Sequence, residues 1–516
     1  MLSPHPKQGV TKLSDITSSP LYNEDLAPVP VEKRTWGMWT IASLWVGMVV
    51  CITTYMFAAG MINQGMTWRQ ALFTITLGNL IVLIPMTLNA HAGTKYGIPF
   101  PVLVRSSFGT LGANVPALMR AIVACGWFGI QTYIGGAAIY TIHAKIFGFA
   151  PAVDADRIRW LGLSWGELGC FLLFWAVNIA IIVMGTEAIK WLENLSAPFL
   201  IIVGVALLAW SVSKAGGFGV VLSDETVAKA RGNLPKDFDF WKVFWPNLTG
   251  TVAYWATLSL NIPDFTRYCR TQKDQMLGQL IGLPTTMALY SFIGIAVTCA
   301  TVINYGEAIW DPVKVLAKLD NVFVVGFALF ALTIATLTTN IAANVVSPAN
   351  DFFNICPRLI SFKVGGIITG VIGVLILPWK LFNDLNAYVF TWLIGYGTML
   401  GAIAGVMLSD YFVIRKASLD VEDLYRLKGR YQYMGGFNWR ALVAVAAGIA
   451  TCVPGFINQF RALGPPETAV PVDPEVIWNQ LYTHSWFVSF GVAAVVHVLL
   501  SLVAPPARSE AETKAV

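Results

Sequence analysis

SLWVGMVVCITTYMFAAG, Ser43 to Gly60, is apolar like a membrane-crossing helix, yet its middle holds Gly47 and the hydroxylated pair Thr53–Thr54. Glycine and β-branched residues weaken a helix where they occur. A helix interrupted inside a bilayer exposes backbone carbonyls and N–H groups, which is tolerated only against protein or a cavity. NLTGTVAYWATLSLNIPDF, Asn247 to Phe265, has the same character, with Gly250, Thr251 and a terminal Pro263. Two such helices suggest a transporter whose site lies at paired helix breaks. An ordinary pair of kinked spans would show the same residues, because Gly and Pro are frequent in transmembrane helices.

The rest of the chain supports a membrane setting. Of 516 residues, 56% are hydrophobic and 12% charged, against about 25% charged in soluble domains. Runs of about 20 apolar residues recur, at 37–62, 68–90, 116–145, 165–184, 191–212, 242–261, 277–302, 321–344, 363–379, 386–409, 438–457 and 482–503. They are continuous and not alternating, so the expectation is an all-α integral membrane protein of about 12 transmembrane helices, not a β-barrel. If five spans form one repeat and the next five another, the odd number inverts the second in the bilayer. The resulting division is a tail at 1–35, a first repeat at 36–212, an extracytoplasmic loop at 213–240 and a second repeat at 241–415. A cytosolic loop with two C-terminal helices follows at 416–504, then a tail at 505–516.

The N-terminal stretch lacks the apolar core of a signal peptide, so both polar ends read as cytosolic tails. The basic residues fit that orientation. Arg415, Lys416, Arg426, Lys428 and Arg430 share one loop, Arg267, Arg270 and Lys273 another, and Lys33 and Arg34 precede the first span. All then fall on the cytoplasmic side, as the positive-inside bias expects of a cell-membrane protein. The net charge of +5 therefore does not point to nucleic acid. The seven cysteines have no paired spacing and read as packed thiols. No HExxH, GxSxG or P-loop pattern suggests an enzyme.

The polar residues inside the first, third, sixth and eighth spans are amides, hydroxyls and indoles: Trp127, Gln131, Trp255, Thr338, Thr339, Asn340 and Asn344. A carboxylate or ammonium through their middles would mark a proton relay or a charged cargo; without one, a neutral solute is expected. Trp127 and Gln131, in CGWFGIQTYIGG, stand at i and i+4 on one helix face. A carboxamide can pair with a lactam or ureide edge, and an indole offers a flat surface to a planar ring. Helix packing is the competing reading for both. Thr338 and Thr339 could help form an oxygen cage for a hard cation, or could bond back to their own helix. Asp264 and Arg267 in NIPDFTRY suit a cap or an inner ion pair. Gly395, Gly397, Gly401 and Gly405 suit close packing or a bendable gate.

NEDLAPVP with KRTW, then KYGIPFPVLVRSSFG, ALMRAIVACGWFGIQTYIGG, WATLSLNIPDFTRY and TNIAANVVSPANDF follow in order from about Tyr22 to Phe460. In these motifs the chain resembles the nucleobase:cation symporter-1 family, in its hydantoin, allantoin and uracil permease branch. The resemblance implies a LeuT-like fold, a five-plus-five inverted repeat followed by two helices, working by alternating access. It makes Trp127 and Trp255 the walls for a flat ring, and Gln131 and Asn344 its hydrogen-bonding amides. It implies a sodium site from Gly47, Val50, Ala335, Thr338 and Thr339, with protons as the other candidate coupling ion and no cofactor. Members commonly carry proline where Thr53 stands, so the first break is expected to be less enforced here.

The expected function is symport of a neutral planar solute such as uracil, allantoin or a hydantoin across the lipid bilayer. A purine or cytosine permease is the near alternative. A non-transporting ligand sensor is the distant one, a membrane hydrolase a weaker one still. The oligomeric state is left open.

Overall fold

Helices account for nearly all regular structure among the described residues. The computed structural model describes residues 16–148, 157–158, 160–184, 201–232, 238–382, 387–463 and 470–505. The outermost parts of both predicted tails, the first part of the fifth predicted span and pieces of the predicted loops lie outside the described residues. Among the described residues no strand forms.

The long elements are α1 (Met38–Val49), α2 (Ile52–Asn63), α3 (Trp68–Tyr96), α4 (Asn114–Phe147), α5 (Trp165–Met184) and α6 (Ile201–Lys214). They continue with α7 (Phe240–Tyr254), α8 (Ala256–Asn261), α9 (Gln272–Tyr305), α10 (Val322–Asn344), α11 (Val346–Ile355) and α12 (Phe362–Leu375). The last are α13 (Ile394–Leu408), α14 (Trp439–Ala450), α15 (Val453–Ala462) and α16 (Ser485–Val503). Among the described residues, seven helical stretches are long and apolar enough to cross a membrane, or nine when the bent pairs α1–α2 and α14–α15 each count as one span. The other predicted spans correspond to the shorter helices α6 and α12 and to the α7–α8 pair. Exposed Leu172, Leu173 and Val177 on α5, and Val495, Leu499 and Leu502 on α16, give these helices apolar outer faces suited to lipid.

The first span is broken where the sequence suggested, with α1 and α2 bent by 62°. Val50 has φ −76° and ψ 81°, and Cys51 is extended. The Cys51 N–H turns to the carbonyl of Val49, two residues back, at 2.9 Å, an inverse γ-turn. It thereby leaves the Gly47 carbonyl, its partner in an unbroken helix. Thr53 does not prevent this. It is the second residue of α2, inside the first turn, where a helix N–H has no intrahelical partner in any case. Proline is therefore dispensable there, and the expected weakening of the break is corrected.

The sixth span breaks at Trp255, whose φ of −102° and ψ of 6° separate α7 from α8. The eighth extends beyond the predicted 321–344, running as one apolar stretch from Val322 to Ile355. The glycines of α13 show close packing: a Cβ on Gly401 would lie 2.7 Å from the Trp486 carbonyl oxygen, and one on Gly405 2.3 Å from that of Phe490. Both carbonyls belong to α16.

Candidate functional site

The two breaks face one cavity. Its wall includes Met48 and Cys51 from the first break, Trp127 and Gln131 from α4, Tyr254 and Trp255 from the second break, and Thr339 and Asn344 from α10. Trp127, Gln131, Trp255 and Asn344 are thus brought together, each at most 8% exposed. None of the lining side chains is charged. The cavity is narrow, with about 30 Å³ for water-sized occupants; one water needs about 10–15 Å³ by this measure.

Tyr254, which sequence reasoning missed, explains the narrowness. Its ring meets Trp127 and Trp255 edge-on, with centroids 5.0 Å away in each case, and stacks on Phe57 at 5.8 Å. Its hydroxyl lies 2.6 Å from Thr53 Oγ1 and 3.2 Å from Thr54 Oγ1. Trp45 meets the other side of the cluster, edge-on to Trp255 at 5.3 Å.

The amides are oriented by neighbours. Gln131 Nε2 donates to Thr53 Oγ1 at 3.3 Å, while its Oε1 is buried without a partner. Asn344 Nδ2 donates to Asn340 Oδ1 at 3.1 Å. Asn340 Nδ2 in turn donates to Asn178 Oδ1 at 3.1 Å, close also to Thr132 Oγ1 at 3.2 Å. Asn178 Nδ2 ends the chain on the Phe174 carbonyl, at 2.8 Å. Asn340 is therefore a support behind Asn344. The Trp127 N–H is held by the Tyr396 hydroxyl at 3.1 Å, whereas the Trp255 N–H is buried and unpartnered.

Of the predicted cation ligands, the structure pairs two sets. Thr339 Oγ1 donates to the freed Gly47 carbonyl at 3.4 Å. Thr338 Oγ1 donates to the Ala335 carbonyl at 2.8 Å and to that of Ile334 at 3.1 Å. Val50 caps the end of α1 beside them. Thr338 thus makes the back-bond to its own helix that competes with a cation role. Among the described residues no three His, Cys, Asp or Glu converge as metal ligands.

Asp264 is a cap: its Oδ1 accepts the Phe100 N–H at 2.8 Å. Arg267 Nη1 donates instead to the Asp25 carbonyl, at 2.7 Å.

Two facing helix breaks around a central polar cavity define a membrane transporter of the LeuT-like type, and solved structures share the fold. Mhp1, a nucleobase-cation-symport-1 family transporter solved in a closed conformation with bromovinylhydantoin bound, superposes with a TM-score of 0.73 at 24% identity, over 96% of this chain and 99% of that one. A Na⁺-coupled sialic acid symporter aligns with a TM-score of 0.62 at 12% identity, over 93% and 92%. Residues 28–489 match the family described as permeases for cytosine/purines, uracil, thiamine and allantoin. The purine-uracil permease NCS1 of Arabidopsis thaliana is 42% identical over 93% of this chain and 78% of its own length. The allantoin permease of Bacillus subtilis is 40% identical over 97% of each. The chain belongs to this permease family, the nucleobase:cation symporter-1 family, and is a multi-pass membrane protein.

Proposed function

We propose that the chain imports a neutral, planar N–H-bearing solute of the uracil, allantoin or hydantoin type, together with a cation, by alternating access. One observation carries this reading: two indoles and two oriented carboxamides share a cavity wall without charge. In this role Trp127 and Trp255 flank the ring and Gln131 and Asn344 read its edge. The fixed donors of both amides turn their carbonyl oxygens toward cargo N–H groups. Tyr254 must swing aside, because the cavity between the breaks is too small for a heterocycle.

The repeat boundaries proposed are 36–212 and 241–415, with 213–240 outside the cell and both termini within it. No bond is made or broken in the cycle. Sodium fits the oxygens of Gly47, Val50, Ala335, Thr338 and Thr339, since hard cations take oxygen ligands. Protons are a second reading, favoured by buried carboxylates beneath the cavity.

Uptake of labelled uracil, allantoin and hydantoin into proteoliposomes tests the proposal, with Trp127→Ala and Gln131→Ala beside the parent protein. The expected result is saturable uptake of one or more cargoes, with a marked loss of affinity in both variants. Unchanged affinity in both would overturn the assigned pocket. Replacing sodium by choline at fixed pH tests the oxygen cage: undiminished uptake excludes sodium coupling.

A further inference from the structure

The two indoles of the cavity wall differ at their N–H groups. That of Trp127 is held by the Tyr396 hydroxyl at 3.1 Å. That of Trp255 is buried without a partner, and so is Gln131 Oε1; each residue is 3% exposed. Among the described residues, these are the two buried side-chain polar atoms of the wall left unmatched. One is a hydrogen-bond donor and the other an acceptor.

Other polar groups of the wall are engaged. Thr339 Oγ1 bonds the Gly47 carbonyl, Asn344 Nδ2 bonds Asn340, and the Tyr254 hydroxyl and the Cys51 thiol both meet Thr53 Oγ1.

An indole N–H donates and cannot accept, so only an acceptor satisfies it. Left unpaired, it forfeits the hydration it had in the unfolded chain, and a buried tryptophan N–H usually finds a partner. The N–H groups of Trp45 and Trp392 are unpartnered too. Neither of those rings lines the cavity, so of the three only Trp255 borders space that a solute enters.

The two unmatched groups stand on different elements. Trp255 is the residue at which the sixth span breaks, between α7 and α8. Gln131 belongs to the unbroken α4. A solute with an N–H for Gln131 and a carbonyl oxygen for Trp255 bridges the helix to the break. Donor and acceptor on one flat solute is the chemistry of a lactam, an imide or a ureide. Stacking between two walls requires neither group.

We infer that the Trp255 N–H donates to a carbonyl oxygen of the cargo while Gln131 Oε1 accepts one of its N–H groups. This rests on the uptake reading and deepens it, because the two indoles cease to be equivalent walls. Trp127, its N–H committed to Tyr396, presents a surface. Trp255 is a specificity-determining residue that selects a carbonyl over a poorer acceptor.

The test replaces Trp255 by benzothienylalanine, in which sulfur stands for the N–H and the ring keeps its shape. Trp255→Phe, which also lacks the N–H, is the second variant if the analogue yields no folded protein. Competition binding in detergent compares uracil, hydantoin and allantoin, with dithiouracil and dithiohydantoin beside them in buffer acidic enough to keep both neutral. Whichever of the three oxo cargoes binds should bind about tenfold more weakly to the variant. The dithioxo forms should change little, since sulfur is a weak acceptor. Trp127→Phe should weaken oxo and dithioxo forms alike, as loss of a stacking surface does. An oxo cargo held equally well by the parent protein and the Trp255 variant would overturn the assignment, as would equal losses for oxo and dithioxo forms in that variant. A parent protein that binds none of the three oxo cargoes refutes the uptake reading itself, and this assignment with it.

Discussion

Thr53 Oγ1 stands 2.6 Å from the Tyr254 hydroxyl and 3.3 Å from Gln131 Nε2, linking the first helix break to the second and to an amide of the cavity wall. Thr53, where the resemblance leads one to expect proline, thus has contacts of its own. Thr53→Val keeps the shape and removes both interactions, each contributing about 0.5–1.5 kcal/mol. Cargo affinity should fall about tenfold while the α1–α2 break persists. Titration of tryptophan fluorescence with cargo measures this, and an affinity matching the parent protein would show that the hydroxyl orients nothing of importance. Thr53→Pro should also keep the break, because the second position of a helix needs no N–H partner.

The chain of amides from Asn178 through Asn340 to Asn344 fixes polarity as well as position. In the proposed pose the ring meets Gln131 Oε1, which is buried without a partner, and the Asn344 carbonyl oxygen, so cargo of this kind supplies N–H donors. Methylating a ring nitrogen that meets Gln131 leaves a buried acceptor unpaired, which costs about 1–3 kcal/mol. N-methylated cargo should bind about tenfold to a hundredfold more weakly. Asn178→Leu unpins Asn340, so this discrimination should shrink even though residue 178 is outside the cavity wall. Competition assays with methylated and unmethylated cargo read both effects.

Some of this was legible in the chain, and some was not, for physical reasons. Apolar run length finds spans, and Gly47, Thr53 and Gly250 sit near the breaks because weak helix formers collect there. Trp127 and Gln131 announce a shared face through their spacing of four. Tyr254 carries no such signal: a tyrosine beside a tryptophan in an apolar run reads as packing until the fold puts Thr53 against its hydroxyl. Arg120 and Asp351 are 231 residues apart, and each lies near the edge of a predicted span, where a charge attracts no notice. Only the extension of the eighth span to Ile355 buries Asp351 beside Arg120.

That buried pair makes a stability prediction. Arg120→Met removes the guanidinium and strands Asp351, a change that costs about 3–5 kcal/mol when one member of a buried pair is lost. Adding Asp351→Leu removes the stranded charge and should restore much of the loss, because an apolar pair of similar volume is often neutral or better. Thermal unfolding in detergent compares the parent, both single variants and the double. Losses that simply add would mean that Arg120 and Asp351 act independently.

Glycine in α13 and α16 serves two different ends, and alanine substitution separates them. A Cβ at Gly405 would stand 2.3 Å from the Phe490 carbonyl oxygen, backbone that cannot rotate away. Gly405→Ala must therefore push α13 off α16, and overpacking of this kind costs about 1–3 kcal/mol. Gly491, on α16 itself, has nothing within 4 Å of the corresponding position and no left-handed backbone. Gly491→Ala should be neutral or gain about 0.4–1 kcal/mol by restricting the unfolded chain. Melting temperatures in the same detergent should fall for the first and hold or rise for the second. Equal behaviour of the two would mean that α13 can slide along α16 with little resistance, as a bendable gate would and a tightly packed seam would not.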